Sequence, residues 1–276
     1  MAMIRNIGAG MDEAVVARIE ARLADIRRDH RVAIPLAIES GSRAWGFPSP
    51  DSDYDCRFVF VRPLDHYLSL WQRRDVIETP MDGILDVNGW DLGKALKLLL
   101  KGNAVIIEWL QSPIAYGVDA DFRREFLDLA RKATDRRLVA RHYLHLGEHQ
   151  RRVHFGDDSI VALKKIFYAL RPAAALRWLR HHPDEAVAPM HFPTLLTGCE
   201  APAPVIGIIE DLLARKAVTR ELGTGPLPAP VLAFIDQEFE EAQKAFPRAE
   251  RDIRPESRDR AEAFFQMMVR RFSSRV

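Results

Sequence analysis

Residues 39–58 read Glu-Ser-Gly-Ser-Arg-Ala-Trp-Gly-Phe-Pro-Ser-Pro-Asp-Ser-Asp-Tyr-Asp-Cys-Arg-Phe, and this stretch decides the fold. Apolar runs before Gly41 and after Asp55 predict two strands joined by a loop rich in proline and glycine. Because side chains i and i+2 of a strand point to the same side, Asp53 and Asp55 are expected to lie side by side. Two such carboxylates repel each other unless a cation neutralises them, and Mg²⁺ binds carboxylates together with substrate phosphates. The stretch therefore predicts a metal site at Asp53 and Asp55, with Mg²⁺ as the expected ion and Mn²⁺ as an alternative.

The Gly41-Ser42 turn has the residues that a phosphate site needs. Glycine allows backbone N–H groups to approach a phosphate closely, and Ser42 adds a hydroxyl donor. Arg43 adds a fork of N–H donors, with a surface salt bridge as the alternative role. A phosphate-binding turn that faces a metal-binding carboxylate pair predicts nucleotidyl or phosphoryl transfer, so Gly41, Ser42 and Arg43 are predicted to bind a nucleotide.

The spacing of Gly-Ser, ten residues, then Asp-x-Asp resembles the DNA-polymerase-β-like nucleotidyltransferase superfamily. A narrower resemblance spans residues 32–180, to a bacterial and phage subfamily of nucleotidyltransferases, some associated with RNA repair. Three later blocks carry it: Leu85-Asp-Val-Asn-Gly-Trp-Asp-Leu-Gly-Lys-Ala-Leu, Glu108-Trp-Leu-Gln-Ser-Pro and Leu163-Lys-Lys-Ile-Phe-Tyr-Ala-Leu-Arg-Pro. The resemblance implies an α+β fold, in which a small mixed sheet with flanking helices is followed by a helical C-terminal domain.

A third carboxylate usually completes such sites, and Asp86 is the predicted one. It follows Ile84-Leu85 in a predicted strand, and the resemblance places an aspartate there. Asp91 is the rival, but it precedes an apolar helical run and is predicted to cap that helix. Glu39 and Glu78 are further alternatives. Asp53, Asp55 and Asp86 are therefore the predicted catalytic residues and metal ligands.

A second set of candidates lies on a helix predicted over residues 158–181. Lys164, Tyr168 and Arg171 fall at i, i+4 and i+7 and share one face, with Lys165 at its edge. By resemblance, a lysine and a tyrosine in the helical domain reach the triphosphate across the cleft. All four residues are therefore predicted to bind the nucleotide, and the alternative is the solvated basic flank of a core helix.

The pattern of elements divides the chain near residue 120. Residues 1–120 are predicted to form the catalytic domain, with a helix over 12–29, strands at 32–39 and 55–61, and a hairpin of 76–78 with 84–87. Residues 121–276 are predicted to form a helical domain that closes over the nucleotide, binds the acceptor, or does both. Its predicted helices cover 121–131, 135–154, 158–181, 204–216, 229–245 and 255–273.

Composition limits the environment and the partners. The formal net charge is +1, so any nucleic acid must bind through a local basic patch. Cys56 and Cys199 are expected to be reduced thiols. The sequence shows neither a signal segment nor an apolar run long enough to cross a membrane. A cytoplasmic location without a membrane partner is therefore expected. His142, His145 and His149 form one helical stripe, which is interpreted as a basic surface that RNA is able to use rather than as a zinc site.

These features predict a Mg²⁺-dependent enzyme that moves a nucleoside monophosphate from an NTP, such as ATP, to an acceptor hydroxyl and releases pyrophosphate. The expected acceptor is an RNA 3′ end, because relatives are associated with RNA repair. Transfer to a protein hydroxyl or to a small-molecule hydroxyl remains an alternative. A nucleotide-binding regulatory module without catalysis is the alternative from another class.

Overall fold

The computed structural model describes residues 3–71, 73–156, 160–248 and 252–274. Within these ranges, six strands form a mixed sheet in the order β1-β6-β2-β3-β5-β4. They are β1 (Met3–Asn6), β2 (Ala33–Ser40), β3 (Tyr54–Val61), β4 (Val76–Glu78), β5 (Leu85–Asp91) and β6 (Ala115–Asp119). A small antiparallel sheet joins β7 (Ile160–Ala162) to β8 (Thr224–Pro226).

Helices flank the large sheet and make up most of the chain after it. The first five are α1 (Glu13–His30), α2 (Gly41–Trp45), α3 (Leu64–Tyr67), α4 (Leu92–Leu100) and α5 (Ala104–Gln111). The others are α6 (Ala120–Ala133), α7 (Arg136–Phe155), α8 (Leu163–His181), α9 (Phe192–Gly198), α10 (Ala203–Val218), α11 (Ala229–Ala245) and α12 (Pro255–Ser273). The mixed sheet with a helical C-terminal region confirms the predicted fold class.

The pairing of β3 with β5 positions the site. The two strands run parallel, and their register places Asp55 opposite Asp86. Along β5, burial alternates: Leu85, Val87 and Gly89 are buried, whereas Asp86, Asn88 and Trp90 are half-buried. Since successive side chains of a strand face opposite sides, one face of β5 packs into the core and the other presents its polar residues together. The sheet thus brings carboxylates from two strands side by side.

Several elements differ from the sequence-based prediction. Strand β6 was not expected, yet it lies between β1 and β2 in the sheet. Helix α9 lies between the segments predicted as helices over 158–181 and 204–216, where no helix was expected. The helix predicted over 158–181 begins at Leu163, after the short strand β7; of its predicted first residues, 158 and 159 lie outside the described residues. The hairpin of β4 with β5 is confirmed.

The core continues across the predicted domain boundary at residue 120. One cluster of buried side chains runs from Leu36 on β2 to Phe272 on α12. On α12, Phe264 and Phe272 contact the ring of Phe122 on α6, and α12 also packs on β2 and β3. The boundary at residue 120 stays a prediction, and the helices after it contribute to the core around the sheet.

Candidate active site

Three aspartates lie close together: Asp53 before β3, Asp55 on β3 and Asp86 on β5. Asp55 and Asp86 lie opposite each other in register, and Asp53 lies just before β3. Between the strands, Arg57 donates from Nη2 to Asp86 Oδ2 at 2.6 Å and to Asp55 Oδ1 at 3.4 Å. Burial raises the pKa of Asp55; Arg57 opposes this shift, whereas the charges of Asp86 and Asp53 add to it. The site thus concentrates negative charge that one arginine neutralises only in part.

The donor set suits a hard divalent cation. Among the described residues, no three His, Cys, Asp or Glu side chains stand close enough together to form a metal site as they are placed. Arg57 instead joins Asp55 to Asp86, and Asn88 donates to the second oxygen of Asp86. Carboxylate oxygens on adjacent strands are nevertheless the ligand type that Mg²⁺ prefers, and a cation there would relieve the repulsion between them.

Asp91 has the capping role that its sequence position predicts. Its Oδ1 accepts the Gly93 backbone N–H at 2.8 Å, and its Oδ2 accepts the Tyr67 hydroxyl at 2.8 Å. Because it follows Asp86 by five residues on β5, it faces the other side of the sheet, where it is buried. Asp86 is therefore the aspartate of β5 that stands beside Asp55.

Glu39 is buried and holds the start of β3 in place. Its Oε1 accepts the Asp55 backbone N–H at 2.8 Å, and the Tyr116 hydroxyl donates to its other oxygen. Burial raises the pKa of Glu39 to about 8. Both oxygens are thus engaged by protein donors, and the contacts give Glu39 a positioning role.

The turn at Gly41 passes directly against Asp55. Gly41 has a φ of +67°, a conformation that residues with a Cβ rarely adopt. A Cβ at this position would lie 2.2 Å from Asp55 Oδ2, which is closer than any stable contact. Glycine is therefore required here both by the backbone and by the neighbouring carboxylate.

We expect Gly41→Ala to lower the rate of nucleotidyl transfer by about 10²-fold, because a displacement of about 1 Å at a reacting group costs that much. Gly83→Ala is the matched control, since Gly83 has a φ of +62° and nothing within 4 Å of its would-be Cβ. The positive φ should cost each variant about 1–2 kcal/mol of stability. Transfer rates and thermal melts of the two variants decide the question: equal activity would show that the contact with Asp55 has no catalytic consequence.

Arg43 holds the loop that carries Asp53. Its guanidinium donates to the backbone oxygens of Ser52 at 2.7 Å and Asp53 at 3.1 Å, and lies 3.9 Å above the Tyr54 ring. The Ser42 hydroxyl donates to Ser52 Oγ at 3.0 Å. These contacts give Arg43 a positioning role, and its predicted contact with a nucleotide stays a prediction.

A cleft of about 920 Å³ joins the turn, the carboxylates and the helices. Its walls include most of the residues predicted for the site: Gly41, Ser42, Asp53, Asp55, Lys164, Lys165, Tyr168 and Arg171. Asp86 and Arg43 do not line it; Asp86 lies behind the wall, beside Asp55. Lys164 is paired with Glu221 at 2.8 Å, while the Lys165 ammonium lies 4.8 Å from the centre of the Tyr168 ring. The predicted face of α8 therefore lies in the same cleft as the carboxylates, and its nucleotide contacts stay a prediction.

Arg171 has contacts that its helical spacing does not reveal. Its guanidinium donates to both oxygens of Glu108, at 2.8 and 3.0 Å, and lies 4.1 Å from the centre of the Trp45 ring. Tyr143 also donates to Glu108, and Arg171 is only 5% exposed. This buried pair ties α8 to α5 and α7, so the contacts indicate a positioning role.

Lys216 on α10 is a cleft residue that the sequence analysis missed. It is 7% exposed, and its Nζ donates to the Phe47 backbone oxygen at 2.7 Å. Burial lowers the pKa of Lys216 to about 8; Asp51 opposes this shift, and Lys164 and Arg43 add to it. A basic residue in the last turn of a helix is common and gave no signal in the sequence. Other missed wall residues are Ser49, Ser52, Gln150 and Arg220.

The predicted histidine stripe lies along α7. His145 and His149 are exposed, and burial lowers the pKa of the half-buried His142. In the part of the chain that the structure describes, none of these three residues belongs to a metal-binding cluster. His154, further along the same helix, lines the cleft. An RNA-binding role of the stripe stays a prediction.

The mixed sheet carries carboxylates on adjacent strands, next to a Gly-Ser turn, and helices of the C-terminal region line the same cleft. This combination defines the class of polymerase-β-like nucleotidyltransferases. The sequence profile of RlaP, the RNA repair pathway DNA polymerase beta family, matches residues 15–267, and the chain belongs to this family. The chain is also similar to the uncharacterized protein YcgL of Bacillus subtilis (strain 168), with 36% identity over 242 residues, 87% of this chain and 92% of YcgL. The protein is thus a nucleotidyltransferase. None of the described helices is long and apolar enough to cross a membrane.

Proposed function

We propose that the protein is a Mg²⁺-dependent nucleotidyltransferase that transfers a nucleoside monophosphate from an NTP to the 3′-hydroxyl of RNA. The observation that carries this proposal is that Asp55 lines one cleft with the Gly41-Ser42 turn and pairs in register with Asp86 on the neighbouring strand. The description of the family as an RNA repair polymerase supports RNA as the acceptor.

The proposed reaction is an in-line displacement at the α-phosphorus. The acceptor oxygen forms a bond to that phosphorus, the bond to the bridging oxygen breaks, and pyrophosphate leaves. Asp53, Asp55 and Asp86 would hold Mg²⁺, which when bound neutralises charge on the phosphates and acidifies the acceptor hydroxyl. Asp86 takes up the proton of that hydroxyl or passes it to solvent. Arg57, already bonded to Asp86, keeps the carboxylate oriented.

The triphosphate is proposed to lie between the Gly41-Ser42 turn and the helices α8 and α10, which line the cleft. Ser42 supplies a hydroxyl donor, and Lys165, Lys216 and Arg220 supply positive charge across the cleft. None of these three cations has a carboxylate partner among the described residues. In this proposal, residues 1–120 perform the chemistry and the helices of 121–276 close over the nucleotide.

The test is transfer of label from each α-labelled NTP to RNA in the presence of Mg²⁺, Mn²⁺ or EDTA. An oligonucleotide with a 3′-hydroxyl should become longer by labelled nucleotide, and the same oligonucleotide with a 3′-phosphate should not. Labelling should require the divalent ion. Label that stays on protein, or appears equally on the blocked oligonucleotide, would overturn the RNA 3′ end as acceptor.

The charge of Lys216 should make NTP binding depend on pH. Because its pKa is about 8, Lys216 is protonated below that pH and loses its charge above it. A triphosphate binds the charged form better, so we expect affinity to fall by about half between pH 7 and 8 and then by up to about tenfold per pH unit. The charged groups around Lys216 are Asp51, Lys164 and Arg43.

Calorimetric titration with a non-hydrolysable NTP between pH 7 and 9.5 measures this effect. Lys216→Met should bind the NTP more weakly than the wild type at pH 7, and its NTP affinity should no longer fall above pH 8. Lys165→Met is the control, since it removes another cation of the cleft but leaves Lys216 in place. A wild-type affinity that is flat across pH 8 would contradict the prediction.

A further inference from the structure

The strand order indicates on which side of the carboxylates an acceptor must lie. In an in-line displacement, the attacking and leaving oxygens are on opposite sides of the phosphorus. The Gly41-Ser42 turn follows β2, the carboxylates are on β3 and β5, and β4 comes next in the sheet. If pyrophosphate leaves on the side of the turn, as the proposed function requires, the acceptor approaches over β5 and β4.

The surface on that side is an aromatic platform. Asp86, Asn88 and Trp90 alternate along the same face of β5, and Asn88 and Trp90 line the cleft together with Val76 and Glu78 of β4. The Trp90 ring stacks on the Trp109 ring of α5, with 4.0 Å between centroids and 30° between planes. Trp90 itself is half-buried, so one ring face is supported by protein while the side chain borders the cleft.

A buried donor accompanies the platform. Trp109 is 2% exposed and lines the cleft, and its indole N–H has no acceptor among the described residues. A buried polar group without a partner costs about 1–3 kcal/mol, so an acceptor that a ligand brings to this N–H would be stabilised there. Two polar side chains that line the same cleft already have partners: Asn88 donates to Asp86, and Glu78 is paired with Arg74.

We propose that Trp90, supported by Trp109, is the platform on which a base at the 3′ end of the RNA acceptor stacks, with the terminal hydroxyl directed toward Asp86. This inference rests on the proposed function and adds the location and the type of recognition. Every nucleobase has a π-face, so stacking holds an RNA end without requiring a particular sequence.

The experiment measures RNA binding directly, apart from catalysis. Oligonucleotides with a 3′-hydroxyl carry 2-aminopurine at the last or at the penultimate position, and stacking on tryptophan should quench its fluorescence in at least one of them. Base stacking on an aromatic side chain contributes about 1–3 kcal/mol, so Trp90→Ala should weaken binding by roughly 5- to 150-fold. Trp90→Phe keeps an aromatic face and should lose much less.

Trp71→Ala is the matched control, because Trp71 is 77% exposed on a nearby loop and does not line the cleft. It should bind RNA as the wild type does. The wild type should bind an oligonucleotide that lacks the stacking base as weakly as Trp90→Ala binds the complete RNA. Trp90→Ala should bind that oligonucleotide no more weakly than the wild type does. This ligand-side test does not depend on how any variant folds.

The outcomes separate this inference from the proposed function. If the wild type extends RNA but Trp90→Ala binds and extends it equally well, or if neither probe is quenched, the platform is wrong and the proposed function stands. If the wild type labels protein and no RNA, the proposed function and the platform both fail. NTP affinity should be the same in Trp90→Ala as in the wild type, because the platform lies on the acceptor side.

Discussion

Replacing Asp55 with asparagine is expected to lower the rate of nucleotidyl transfer by about 10³-fold or more without disrupting the fold. The loss of a metal-binding carboxylate removes several kcal/mol of transition-state stabilisation, and about 4 kcal/mol corresponds to that factor. Asp55 stands among Asp53 and Asp86, and the charges of Arg57 and Arg43 offset theirs only in part. Its removal relieves this repulsion, so the melting temperature without metal should stay unchanged or rise slightly.

Asp86→Asn should show a comparable loss of rate, and Asp91→Asn is its matched control on the same strand. Asp91 caps α4, and exchange of one good capping residue for another costs about 1 kcal/mol or less of stability. The transfer rate of Asp91→Asn should therefore remain near that of the wild type. Single-turnover rates with saturating NTP and thermal melts of all three variants provide the comparison. Near-normal rates in Asp55→Asn or Asp86→Asn would refute the site, and a larger loss in Asp91→Asn would identify the wrong aspartate on β5.

Arg171→Met is expected to lower the free energy of unfolding by about 3–5 kcal/mol, because it leaves the charge of Glu108 buried without its partner. Both side chains of this pair are less than a tenth exposed. Arg171→Met combined with Glu108→Leu should be less destabilised than the sum of the single variants, since neither charge then remains. Denaturant unfolding of the four proteins of this cycle gives the coupling between the two residues.

Lys164→Met is the control for this cycle. Lys164 is on the same helix and also forms an ion pair, with Glu221, but both side chains are largely exposed. Exposed pairs contribute about 0–1 kcal/mol, so this variant should unfold nearly as the wild type does. Equal stability of Arg171→Met and Lys164→Met would mean that the buried pair does not tie the helices together.

Local periodicity predicted the part of the site that lies on single strands. The two-residue alternation of strands predicted Asp53 and Asp55 on one side; both line the cleft, although Asp53 lies just before β3 and not on it. The contrast between a strand and a helix start predicted the cap at Asp91. The same reasoning on a helix placed Lys164, Tyr168 and Arg171 on one face, which does line the cleft. These inferences succeed because a repeat of 2 or 3.6 residues is a property of the local backbone.

Contacts between distant segments were not accessible in this way. Helical spacing groups Arg171 with Lys164, but its burial depends on Glu108, which belongs to another helix. Lys216 enters the cleft only because α10 packs near Phe47. Strand β6 is short, contains a glycine and pairs with β1 and β2, which come much earlier in the chain. In each case the deciding partner lies far away in sequence, so no local pattern marks it.

The packing of α12 on β2 and β3 also has a consequence for how the protein is made. The ribosome completes the six strands of the large sheet by Asp119, but the helix that covers part of this sheet begins only at Pro255. At about 5–20 residues per second, roughly 10–30 s of translation separate the two. During that interval the nascent chain exposes apolar strand surface, which other chains are able to bind. We therefore expect the growing polypeptide to depend on chaperones, and truncation before α12 to yield aggregates rather than a smaller active enzyme.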